Sequence, residues 1–166
     1  MTQVEDLNLG NVFHNTCPLC ESHLPFLLYA KEQHFSTTIA TPYFSRSFTY
    51  AVQCPACALH VPISNEEFTK LLPVATINHM CDTGAMTKED GDARIVALED
   101  EAYAHIKQRL TKLHEEIKSL IPFTQSKKDA ELNEIISINP ADKNPAIHFA
   151  AKRELLQRNG NLNIQP

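Results

Sequence analysis

Four of the five cysteines fall in two copies of one tetrapeptide, Cys17-Pro18-Leu19-Cys20 and Cys54-Pro55-Ala56-Cys57. Thiolates two residues apart bend around one metal ion with Zn–S bonds of about 2.3 Å, and two such turns complete a tetrahedral site. The pattern points to structural Zn²⁺ held by Cys17, Cys20, Cys54 and Cys57. Disulfides and redox chemistry use the same residues. Disulfides need an oxidising compartment, and Met1-Thr2-Gln3-Val4-Glu5-Asp6 has neither the basic nor the apolar region of a secretory signal. A thioredoxin-like dithiol opens a helix after a strand. Here Cys20 runs into Glu21-Ser22-His23-Leu24-Pro25, and the proline disfavours a helix at that point.

Between Cys20 and Cys54 lie 33 residues, more than the usual ribbon spacing of about 15–20. The spacer must therefore carry strands of its own. Residues 1–16 read as a lead-in, with Val12-Phe13 a short strand entering the first Cys turn. Pro25 to Tyr29 is a short apolar run, and His34 to Tyr50 is rich in strand-forming Thr, Phe, Tyr and Ile. Pro42 interrupts that run and suits an edge or a bend. Phe48, Tyr50 and Val52 alternate into Cys54, a strand delivering the second turn, and 58–63 returns as another. Ser64 and Glu67 form a capping-box pattern opening a helix, which Pro73 should stop.

Residues 76–91 hold Gly84 and Gly91 without a clear period and read as a linker or irregular loop. From Asp92 the pattern changes. Ile95, Leu98, Ala102, Ile106, Leu110, Leu113, Ile117 and Leu120 form one helical stripe of about seven turns, ended by Pro122. Lys127–Ile138 repeats the pattern. Asn144-Pro145 caps a third helix that Gly160 closes. The expected fold is α+β: a four-cysteine zinc ribbon of short antiparallel strands over 1–75, the linker over 76–91, and a helical region over 92–160.

The stretch from Cys17 to Leu72 resembles the small zinc-ribbon family with paired Cys-Pro-x-Cys turns, and nearly as well an uncharacterised bacterial domain named for those turns. Thr41-Pro42-Tyr43-Phe44, the strand Phe48-Thr49-Tyr50-Ala51-Val52-Gln53 before the second turn, and the helix start Ile63-Ser64-Asn65-Glu66-Glu67-Phe68 match. The resemblance implies four thiolate ligands and a small β-ribbon, and no established reaction. It covers about a third of the chain. The sequence departs from the pattern after the second Cys of each turn. Glycine usually stands there because the backbone tends to φ > 0; here those residues are Glu21 and Ala58.

Other chemistry-bearing residues weigh less. Asp82-Thr83-Gly84-Ala85 matches the local aspartic-protease signature, but no second copy exists in the chain and helical sequence follows. His79 and Cys81 are adjacent enough to form a ligand or reactive pair, although sequence adjacency says little about contact. His14, His23 and His60 flank the Cys turns and suit surface or outer-sphere roles. The Lys127-Lys128 and Lys152-Arg153 pairs are too sparse for a nucleic-acid patch. Net charge is −5 with a pI near 5.9, and residues 1–75 carry three bases against six acids. This acidic balance argues against nucleic acid. No apolar run approaches the roughly 18–20 residues of a membrane span.

The expected function is a non-catalytic, zinc-stabilised protein-interaction module in a reducing cytoplasm. Its partner is a protein, with the 95–120 helix a candidate for self-association. The alternatives are a nucleic-acid-associated zinc-ribbon protein, or a thiol redox protein using the Cys-Pro-x-Cys turns or Cys81.

Overall fold

The computed structural model of the chain describes residues 3–37, 43–99, 101–138 and 145–160. Four strands, β1 (Gln3–Thr16), β2 (His23–Thr37), β3 (Tyr43–Gln53) and β4 (His60–Ile63), precede five helices: α1 (Asn65–Asp82), α2 (Lys88–Leu98), α3 (Glu101–Gln125), α4 (Asp129–Ser137) and α5 (Pro145–Arg158). The class is α+β. The sheet is a simple antiparallel meander, β1-β2-β3-β4. β2 and β3 pair from Leu27↔Gln53 out to Thr37↔Tyr43, and β4 covers only Tyr50↔Ile63 to Gln53↔His60.

The first three strands are longer than the short ribbon strands expected, and the presumed lead-in is a 14-residue strand. Its signal is weak because only Val12 and Phe13 of its described side chains are buried. On β2 the alternation is plain, with Phe26, Leu28 and Ala30 buried. Pro42 and Asn144 lie outside the described residues.

The chain divides into two compact units, 1–14 with 25–105, and 15–24 with 106–166. The boundary expected at residue 75 falls inside α1. In the first unit, α1 buries Leu71, Val74, Ala75 and Ile77. Gly10 of β1, at φ +113°, lies where any Cβ would meet the Ala75 carbonyl oxygen at 3.4 Å. Ser64 caps α1 as expected: its hydroxyl accepts from Glu67 N–H at 3.1 Å, and Glu67 accepts from Ser64 N–H at 2.8 Å.

Helix α1 does not stop at Pro73, and residues 76–91 are not an irregular loop. The helix runs on to Asp82, and α2 opens at Lys88 under a Thr87 cap that accepts from Asp90 N–H at 3.2 Å. Pro73 is exposed, so the carbonyl it leaves without a donor faces water, while the residues beyond it gain burial. The same holds for Pro122, which lies exposed inside α3 instead of ending it.

The stripe from Ile95 to Leu120 is also not one helix. α2 ends at Leu98, where Glu99 leaves helical geometry at ψ 123°. Within the second unit Ile106, Leu110 and Ile117 of α3 are buried. Ile117 packs with Ala146 and Ala150 of α5, and Leu113, Leu120 and Phe149 close around them. Arg158 latches the far end. Its guanidinium donates to Asp129 at 2.6 Å, to Glu154 at 2.8 Å, and to the carbonyls of Lys127 at 3.0 Å and Gln125 at 3.2 Å.

Candidate metal centre

The two Cys turns share one backbone design. In the first, Cys17 N–H donates to Ser22 C=O at 2.9 Å and Glu21 N–H to Cys17 C=O at 3.0 Å. In the second, Cys54 N–H donates to Leu59 C=O and Ala58 N–H to Cys54 C=O, both at 2.9 Å. Closing the turn forces the residue after the second Cys into the left-handed region, at φ 58° for Glu21 and 59° for Ala58. The missing glycines thus leave the geometry unchanged and cost strain, about 1–2 kcal/mol for a side chain held there.

The side-chain sulfurs of Cys17, Cys20, Cys54 and Cys57 all lie within 4.8 Å of one another. A tetrahedron with Zn–S bonds of about 2.3 Å has edges near 3.8 Å, so small sulfur movements complete it. Four sulfur donors suit a soft or borderline metal, zinc or iron, and disfavour magnesium or calcium. Cys17 and Cys54 are buried and Cys20 and Cys57 half-buried. Leu19 N–H donates to Cys17 Sγ at 3.4 Å, and the Ser22 hydroxyl lies 2.9 Å from Cys20 Sγ, where it can donate once that thiol is a thiolate. Such bonds favour the thiolate a metal needs. The cluster could hold a metal ion such as zinc.

Their surroundings differ sharply. Pro18 and Leu19 are fully buried, whereas Pro55 and Ala56 are exposed. Two groups hold the first turn from the helices of its own unit. The Arg153 guanidinium, 7% exposed, pairs with Glu21 at 3.2 Å. The His114 imidazole hydrogen-bonds the backbone of Pro18. Because proline has no N–H, the histidine is the donor; its Nδ1 is buried with no partner, so the bond runs from Nε2. Burial first, then the Lys118 charge, holds the His114 pKa below its ordinary value, which keeps it neutral. Sequence reasoning passes over both groups; it sees Arg153 only as half of a sparse basic pair.

The other candidates fall elsewhere. Among the described residues the group placed to hold a metal ion is the four cysteines, and His14, His23 and His60 lie outside it. His14, His23 and His60 are exposed, and His23 Nδ1 lies 3.3 Å from the Thr16 hydroxyl. Asp82-Thr83-Gly84-Ala85 is the C-terminal turn of α1: Thr83 caps it, Gly84 takes φ +75°, and Ala85 N–H closes on Met80 C=O at 2.8 Å. The aspartic-protease signature is a helix stop.

Cys81 packs on Gly91 of α2, where an added Cβ would run into its sulfur. With Phe13, Asn78, Asp82, Asp92 and Tyr103 it also lines a cleft of about 400 Å³. Burial, and secondarily the Glu99 charge, pushes the Tyr103 hydroxyl up to about 12, so it stays protonated. Neither Cys turn opens a helix, as a thioredoxin-like dithiol would. No helix among the described residues is long and apolar enough to cross a membrane.

No known protein family, curated protein or solved structure matches the chain.

Proposed function

We propose that the protein is a non-catalytic, zinc-stabilised module that binds another protein and works in a reducing compartment such as the cytoplasm, where its thiols persist. The sulfur tetrad carries this reading. Four protein thiolates fill a tetrahedral zinc completely, which is the composition of structural sites; catalytic zinc keeps a position for water. The likeness of residues 17–72 to zinc ribbons with paired Cys-Pro-x-Cys turns supports the same ligand set. An interaction role draws support from an aromatic ladder. Phe48 stacks on Tyr50 at 6.5 Å and Tyr50 on Phe68 at 3.9 Å, with Phe48 and Leu72 exposed. Exposed aromatic surface of this kind is enriched at protein interfaces.

Elemental analysis of protein purified without added metal should give about one zinc per chain, the capacity of one tetrahedral four-cysteine site. A folded protein without metal, or one holding iron with a visible charge-transfer band, refutes the zinc assignment. Affinity purification of the intact chain should recover a protein partner whose binding falls on Phe48→Ser.

A further inference from the structure

The two Cys turns are equivalent in backbone and opposite in environment. Each has the same pair of closing hydrogen bonds and the same positive φ. Yet the first is covered by α3 and α5 residues of its own unit, and the second turn's Pro55, Ala56 and Ala58 are exposed. A turn that binds metal by itself needs no cover. The cover on the first turn is chemically specific: a buried guanidinium on the Glu21 carboxylate at 3.2 Å, and an imidazole on the Pro18 backbone.

Glu21 is the residue held at φ 58°, and Pro18 lies between the two ligands Cys17 and Cys20. Both contacts therefore act on the atoms that fix the Cys17 and Cys20 side chains. We infer that Arg153 and His114 are positioning residues for the metal, preorganising the Cys17–Cys20 half of the site so that the C-terminal helices set its affinity. This rests on the zinc reading above.

The physical reason is ordering. A metal bound by a loose turn must order that turn as it binds, and the ordering cost subtracts from affinity. Groups outside the ligand sphere that hold ligands in this way typically contribute about 10–100-fold in metal affinity.

The test compares zinc affinity, by competition with a chromophoric chelator, for wild type, Arg153→Met, His114→Leu and His114→Gln. Glutamine can keep an N–H donor near the position of Nε2, so it separates the hydrogen bond from packing. Arg153→Met and His114→Leu should bind zinc about 10–100-fold more weakly, with His114→Gln close to wild type. The local readout is alkylation by N-ethylmaleimide under limiting chelator, mapped by mass spectrometry. Cys54 and Cys57 should react first in wild type, and Cys17 and Cys20 should overtake them in the weakened variants.

A wild type that binds no zinc overturns the zinc reading itself. A wild type that binds zinc, with all variants equal to it or with an unchanged alkylation order, overturns only the positioning role. If Arg153→Met loses its helical circular dichroism, the His114→Leu and His114→Gln difference decides. Loss of fold in both Arg153→Met and His114→Leu also overturns the inference, because the contacts would then hold the unit and not the thiolates.

Discussion

Replacing Ala58 by glycine should stabilise the protein, and replacing Glu21 by glycine should not, although the two residues occupy equivalent positions. At φ 59° Ala58 carries about 1–2 kcal/mol of left-handed strain. Glycine removes that strain and adds about 0.4–1 kcal/mol of unfolded-chain entropy to lose. Ala58 is exposed, so no buried contact is lost, and the net gain is about 0.5–1 kcal/mol. For a chain of this size that raises the melting temperature by about 1–4 °C.

Glu21→Gly receives the same backbone relief but strands the Arg153 guanidinium, whose side chain is 9% exposed against 28% for Glu21. Removing one partner of a fully buried pair costs about 3–5 kcal/mol. Discounted for the partial exposure of Glu21, about 1–3 kcal/mol remains, enough to reverse the sign. Both variants are best followed by denaturant unfolding at one buffered free-zinc concentration, so that metal linkage is held constant. A destabilised Ala58→Gly, or a Glu21→Gly more stable than wild type, would refute the strain argument.

Four further outcomes are expected. Gly91→Ala drives a methyl into the Cys81 sulfur and should cost about 1–3 kcal/mol; adding Cys81→Ala should restore most of it in a double-mutant cycle. Cys54→Ser should abolish stoichiometric zinc, because one thiolate is a large part of a binding free energy on the order of 10 kcal/mol; retained zinc by elemental analysis would contradict the ligand set. Ile117→Asp places a charge at a fully buried site and should cost several kcal/mol, read as loss of helical circular dichroism; light scattering should show that this loss does not come from dissociation of an oligomer. Burial, then the Lys152 charge, lowers the His148 pKa below 6.5. The unfolded chain therefore takes up the proton first, so His148 stabilises fully above about pH 6.5 and loses that contribution as pH falls toward its folded pKa; His148→Gln should flatten the measured stability slope there.

The four-cysteine cluster was the most legible part of the chain. Two Cys-Pro-x-Cys turns fix ligand type and local geometry within five residues each, and even the positive φ at Glu21 and Ala58 follows from the turn. The class of fold was readable from alternation into Cys54 and from the helical stripe. Prolines misled. Pro73 and Pro122 read as stops, but each sits on an exposed helix face where water satisfies the orphaned carbonyl, and burial of Val74, Ala75 and Ile77 carries α1 onward. The reverse error occurs at Glu99, where no glycine or proline marks the end of α2 and the apolar spacing continues across the break. Leu98, a member of that spacing, is 38% exposed, so part of the stripe is not core. Arg153 could not have been found, because its partner Glu21 is 132 residues away and a lone arginine on a helix carries no local signal.

That separation also has a consequence in time. A ribosome adding about 5–20 residues per second makes Arg153 about 7–26 s after Glu21. The second pair of cysteines follows the first by 37 residues, about 2–7 s at the same rate. All four thiols are thus synthesised well before the helices that cover the first turn. The nascent chain passes through a stage with its ligands complete and its cover missing. On the positioning role proposed above, an ion delivered in that interval would meet a weaker site than the finished chain offers.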